Sequence, residues 1–256
     1  MLGPCGAELA AAVTERELLR LVGMPRGREL EGDLAERARG ARAWYQAHGR
    51  PFAAFRRAAV LELSGEHVWL DDGIELRSAA LAEGLGATRG HAVFALAVSA
   101  GREVADEVGR LWTAERPDEA YFLDRFAAGV TEALVRWATG AVCRSASLAG
   151  ETLLPPLSPG CGRFEIGDQH RLLAILQATP AGERMRLGPI DLLPSGALDP
   201  PHSLLAALGV TRQTLAASTP EDLCRGCALD PCAFRRAPFR RPTTGPTGAA
   251  PRLESR

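Results

Sequence analysis

Three thiols crowd the C-terminal region in Cys224-Arg225-Gly226-Cys227-Ala228-Leu229-Asp230-Pro231-Cys232. A C-x2-C step turns two sulfurs toward one tetrahedral ion. Cys224, Cys227 and Cys232 are therefore candidate ligands of zinc or of an iron–sulfur cluster. Three thiolates leave a closed site one ligand short, a place that Cys161, Cys143, a water, a substrate or a second chain could fill. Incidental thiols and redox chemistry are the two other readings of the same spacing. A second feature is made of backbone. In PPLSPGCGRF, Pro155, Pro156 and Pro159 fix φ while Gly160 and Gly162 release it. Peptide groups held this way either connect two elements or hydrogen-bond a polar ligand with little ordering cost.

Other chemistries are excluded by what the chain lacks. All 30 basic residues are Arg, and neither Lys nor Asn occurs. A phosphate-binding Walker loop, a pyridoxal Schiff base and a protein kinase each require a Lys. The run GLGATRG has its third glycine misplaced for a dinucleotide fingerprint and precedes its strand, so it reads as a turn. No H-E-x-x-H or G-x-S-x-G motif is present. His48, His67, His91, His170 and His202 are scattered, and Asp71-Asp72 and Glu221-Asp222 read as turn and cap positions. The net charge of −1 argues against nucleic acid as a partner, and the short pairs Arg56-Arg57, Arg235-Arg236 and Arg240-Arg241 read as solvated faces. No apolar run reaches the roughly 20 residues of a membrane span. The N-terminus has no basic segment leading into an apolar one, and six cysteines fit a reducing cytoplasm.

The elements that must position these residues follow from periodicity. Thr14–Val22 reads as a helix opened by a Thr14/Glu17 capping box, and Leu30–Ala47 as a second helix. Ala58–Leu63 and Glu66–Leu70 read as strands around Ser64-Gly65, followed by a short helix over Ser78–Leu85. His91–Val98 is a compact apolar run expected as a buried strand, ending at Ser99-Ala100-Gly101 before a helix over Arg102–Trp112. Pro117 opens a long helix to about Ala138, with Leu123, Phe126, Ala127, Val130 and Leu134 on one stripe. A helix over Gly167–Gln177 and a strand over Ser203–Val210 complete the pattern. Residues 1–237 form one domain that includes the Cys-rich segment 219–236, and 238–256 read as a disordered tail. Strands and helices without a regular βαβ rhythm indicate an α+β fold.

The order of the segments ELLRLVGMPRG, HAVFALAVSAGREV, DEAYFLDRFAAGVTEAL, LSPGCGRFEIGDQHRLLAIL and LLAALGVT, with the closing C-x2-C-x4-C-x-F-R, resembles the activation domain of cobalamin-dependent methionine synthase, in a stand-alone form. The resemblance implies a C-shaped domain built on a twisted antiparallel sheet flanked by helices. It further implies S-adenosylmethionine binding, docking on the corrinoid domain of methionine synthase or another corrinoid protein, and methyl transfer that regenerates methylcobalamin. The electron would come from a flavodoxin-type reductant. Carried over by position, the ligand loop is Ser158, Pro159, Gly160, Cys161 and Gly162, with a further patch at His202 and Ser203. Two positions depart from the family pattern: Pro156 stands where an Arg is usual, and Cys161 where a Tyr is usual. Arg163 or a C-terminal arginine is the remaining source of the missing charge. Loss of those side chains also fits a diverged, non-catalytic module that binds a corrinoid protein.

Overall fold

In a computed structural model, the described residues are 4–25, 27–161, 163–178, 186–215, 237, 238 and 240. Gly162, the cysteines at 224, 227 and 232, the pair Glu221-Asp222, Arg235-Arg236 and residues 241–256 lie outside them. The first half of the described chain forms α1 (Gly6–Ala12), α2 (Glu15–Leu21), α3 (Gly32–His48), β1 (Phe52–Ser64), β2 (His67–Leu70), β3 (Glu75–Arg77), α4 (Ala79–Thr88) and β4 (Ala92–Ser99). Then come α5 (Arg102–Thr113), α6 (Pro117–Leu148), β5 (Thr152–Leu153), a 3-10 turn at Ile166–Asp168 and α7 (Gln169–Gln177). The short strands β6 (Asp191–Leu192) and β7 (Leu198–Asp199) precede β8 (Ser203–Thr211). The main sheet is antiparallel in the order β3-β2-β1-β4-β8-β5, and β6-β7 form a small separate ribbon. The α+β class and the helix-flanked antiparallel sheet are as the sequence indicates.

β4 is the centre of the molecule. All eight of its residues are buried, because helices cover both faces of the sheet there. Side chains alternate across a strand. Ala92, Phe94, Leu96 and Val98 enter one core with α1, α2, α3, α5 and α6. Val93, Ala95 and Ala97 enter a second core with α4 and α7. β8 follows the same division, with Ala206, Leu208 and Val210 on the first side and Leu205 and Ala207 on the second. A register slip of one residue would exchange the two cores, so the pairing is fixed by packing.

Local chemistry explains where elements begin. Thr14 Oγ1 accepts from Glu17 N at 3.2 Å while the Glu17 carboxylate accepts from Thr14 N at 3.1 Å, the capping box legible in the sequence. α1 is opened by the same device with sulfur as acceptor: Glu8 N donates to Cys5 Sγ at 3.4 Å. Cysteine is not among the usual cap residues, which is why this helix gives no sequence signal.

Two expectations are corrected. α6 runs ten residues past Ala138, through Gly140, because Val142 is buried in the first core and Ala146 is buried as well. An interior Gly costs about 1 kcal/mol in a helix, less than that burial returns. β1 begins at Phe52 and contains Arg56-Arg57, which are not merely solvated. Arg56 is half-buried and donates to Ile175 O at 3.2 Å and to Ala178 O, satisfying carbonyls left open at the end of α7. Arg57 pairs with Glu151 at 2.8 Å and lies over the Phe94 ring.

Phe126 is fully buried beneath Arg42 and beside Tyr45, whose hydroxyl donates to Ala100 O at 2.7 Å. Phe126→Ala should lower the unfolding free energy by about 3–5 kcal/mol. Urea denaturation checks this, with a lower midpoint and an unchanged slope expected.

Candidate functional site

The proline- and glycine-rich run is neither a free loop nor a simple connector: it is a strap between the two margins of the sheet. Leu154 N donates to Gly209 O at 2.8 Å, and Leu157 exchanges both backbone hydrogen bonds with Ala207, at 2.9 and 2.8 Å. The strap therefore starts as an edge strand along β8. Proline is tolerated at such an edge because no inner strand needs its missing N–H. The chain then turns sharply. Cys161 N donates to Ser158 O at 3.0 Å, and Gly160 N donates to Phe164 O at 2.8 Å. Gly160 sits at φ +86°, a conformation that favours glycine. Past the turn, Phe164 bridges Ser78, Ala79 N donates to Arg163 O at 3.2 Å, and Glu165 N donates to Arg77 O at 3.3 Å. These contacts lie at β3, the opposite edge.

Side chains fasten the far end. Asp168 is fully buried; its Oδ2 accepts from Arg77 N at 2.5 Å and its Oδ1 from Arg171. Burial pushes its carboxyl above the usual range, against the opposing pull of Arg171 and the Arg77 amide. Pro159 and Phe164 are buried, whereas Gly160, Cys161 and Arg163 face solvent. Arg163 itself has a left-handed φ of +62° and forms a two-pronged pair with Glu83 on α4, at 2.7 and 2.5 Å.

His202 and Ser203 lie at the start of β8, four to five residues before Ala207 and so roughly 13–16 Å from the strap's anchor along the strand. They share the strand with the strap, but their side chains are engaged elsewhere. Ser203 Oγ donates to Ser99 Oγ at 3.0 Å, and Ser99 Oγ also accepts from Gly101 N at 3.1 Å. Gly101 has φ +107°, and a Cβ there would stand 2.7 Å from Arg50 O, so this turn into α5 requires glycine. His202 Nε2 is 2.8 Å from Asp124 Oδ1 on α6. That bond from His202, aided by Arg125, holds the Asp124 carboxyl below its usual range despite partial burial.

A second charged cluster went unnoticed in the sequence. Glu151, nearly buried where the strap leaves α6, is bound by Arg57 and His91, each at 2.8 Å. Burial works to raise its carboxyl, and the hydrogen bonds from His91 and Arg57, with the Arg57 charge, outweigh that and lower it. A cavity of about 390 Å³ lies on the helical side instead, lined by Ala41, Trp44, Leu111 and Leu123 beneath Glu107 and Arg116. Among the described residues no group of three or more His, Cys, Asp or Glu is placed to hold a metal ion. Cys143 and Cys161, named as fourth ligands for the cysteine cluster, are both exposed. No described helix is long and apolar enough to cross a membrane.

No family model matches the chain, and no curated protein matches it. Its fold does match solved structures. One, a crystal structure of the MetH reactivation domain bound to AdoHcy, aligns with a TM-score of 0.59 at 12% identity. The alignment covers 84% of this chain and 79% of that one. The chain thus has the fold of that domain.

Two outcomes follow from the site's geometry. Gly160→Val places a β-branched residue at φ +86° with its Cβ about 3.0 Å from Ile166 Cδ1. The strap should loosen by roughly 1–3 kcal/mol. Hydrogen exchange would then quicken at the Leu157 and Ala207 amides and stay slow along β4. Asp124→Asn should destabilise the protein by about 1 kcal/mol at neutral pH. A depressed carboxyl contributes stability above its unfolded value, near 3.8, and loses it as pH falls through the lower folded value. Urea titrations of wild type and variant should therefore converge below that range.

Proposed function

We propose that this protein is an accessory factor for reductive reactivation of a cobalamin-dependent methyltransferase. In this reading it binds S-adenosylmethionine or S-adenosylhomocysteine at the strap and docks on a corrinoid protein. The observation that carries it is the fold shared with a reactivation domain solved with AdoHcy, combined with a strap whose turn exposes the backbone of Gly160. The fit is mainly one of backbone. Gly160 has no side chain to hold an adenosyl group away, and the turn is already satisfied by its own bonds, so binding orders little. The partner's corrinoid would supply the redox and methyl-accepting chemistry, while this chain would hold the donor in position.

Calorimetry with S-adenosylhomocysteine and S-adenosylmethionine tests the reading. One-to-one binding that disappears when Ser158–Arg163 is replaced by a Gly-Ser linker is expected. Neither heat nor strap amide shifts at millimolar ligand would end it.

Pro156 and Cys161 favour a second reading, a corrinoid-protein binding module without methyl-donor chemistry. There, the double variant Pro156→Arg/Cys161→Tyr should gain affinity for S-adenosylmethionine that the wild type lacks. An unchanged titration would count against it.

A further inference from the structure

The strap carries one charged side chain between Glu151 and Glu165, and it is Arg163. We propose that Arg163 is the carboxylate receptor of the strap and that Glu83 is its built-in competitor. On this view the pair admits ligands bearing a carboxylate and discriminates against otherwise similar ones. The inference rests on the ligand-binding reading of the strap given above.

Geometry supports the assignment. The guanidinium and the Glu83 carboxylate meet fork to fork, at 2.7 and 2.5 Å, so a receptor shaped for one carboxylate already exists next to the exposed turn. Arg163 adopts φ +62°, unusual for a residue with a side chain, while its carbonyl accepts from Ala79 N. That backbone projects the side chain over the first turns of α4, where Glu83 lies. Both side chains are 62% exposed, so exchanging Glu83 for another carboxylate strands no buried charge. The guanidinium holds the Glu83 carboxyl below its usual range, so Glu83 stays ionised as a competitor at neutral pH.

A purely structural role for the pair is poorly supported by the same contacts. An exposed ion pair adds little to stability. The strap is fastened at both ends by backbone bonds, from Leu157 to Ala207 and from Phe164, Arg163 and Glu165 to the β3–α4 junction. Neither side chain of the ion pair is needed for those. The homocysteine end of S-adenosylhomocysteine presents the carboxylate that would displace Glu83.

The test compares S-adenosylhomocysteine with methylthioadenosine, which keeps the nucleoside and thioether but has no carboxylate. Arg163→Gln should weaken S-adenosylhomocysteine roughly tenfold and leave methylthioadenosine unchanged. Glu83→Gln, which removes the competitor's charge, should tighten S-adenosylhomocysteine by roughly three- to tenfold. A clasp that merely holds the strap would make both variants shift binding in the same direction, and for both ligands alike. Either result overturns the assignment while leaving the strap as a ligand site. If the wild type binds neither compound at millimolar concentration, the strap reading fails and this inference falls with it. Circular dichroism of each variant should show an unchanged melting temperature.

Discussion

Leu157 trades both of its backbone hydrogen bonds with Ala207 on one margin of the sheet, and Phe164 bridges Ser78 on the other. These contacts resolve a problem set by the rest of the fold. β4 is buried on both faces between two cores, and the open sheet that carries it ends in two margins, β3 on one side and β8–β5 on the other. Covering them with one continuous segment satisfies both sets of peptide groups. It also places an exposed turn beside α4, where Arg163 meets Glu83. The same constraint that completes the sheet thus fixes where the backbone of Gly160 is presented.

Charge is distributed to serve this arrangement. With Arg as the only cation apart from His, ion pairs here are made by forked groups that reach carbonyls as readily as carboxylates. Arg56 closes the end of α7, Arg171 steadies the buried Asp168, and Arg57 holds Glu151, which His91 also contacts. Each of these cations ties a carboxylate or helix end to the strap's roots or its neighbours. Arg163 differs from them in that its side chain is exposed together with its partner's.

Much of the scaffold was legible because burial imposes periodicity. The stripe on α6 from Leu123 to Leu134 reports one buried face, whereas the unbroken apolar runs at His91–Val98 and Ser203–Val210 report strands buried on both sides. Legibility stopped where pairing is non-local. Arg163 and Glu83 are 80 residues apart, His202 and Asp124 are 78 apart, and Arg77 and Asp168 are 91 apart. The strap itself reads as a loop because prolines hide its edge-strand character. β5, β6 and β7, at two residues each, are too short to carry a period. Cys5 hid α1 in the same way, by doing a serine's work at the cap.

The site shows the same split between backbone and side chains. Gly160 and Pro159 keep a turn whose shape depends on φ and on bonds internal to the chain, and such a turn tolerates change at its exposed positions. Side-chain charge is not protected in that way. Pro156, between the edge-pairing residues Leu154 and Leu157, carries no charge, and Arg163 leaves the turn at a left-handed φ. α4 lies under both parts of the strap, with Gly84 next to Leu154 at the edge pairing with β8 and Glu83 paired to Arg163 past the turn. The charge of the strap is therefore set past its turn, where Arg163 meets Glu83, and that meeting is made by the topology and not by the local motif.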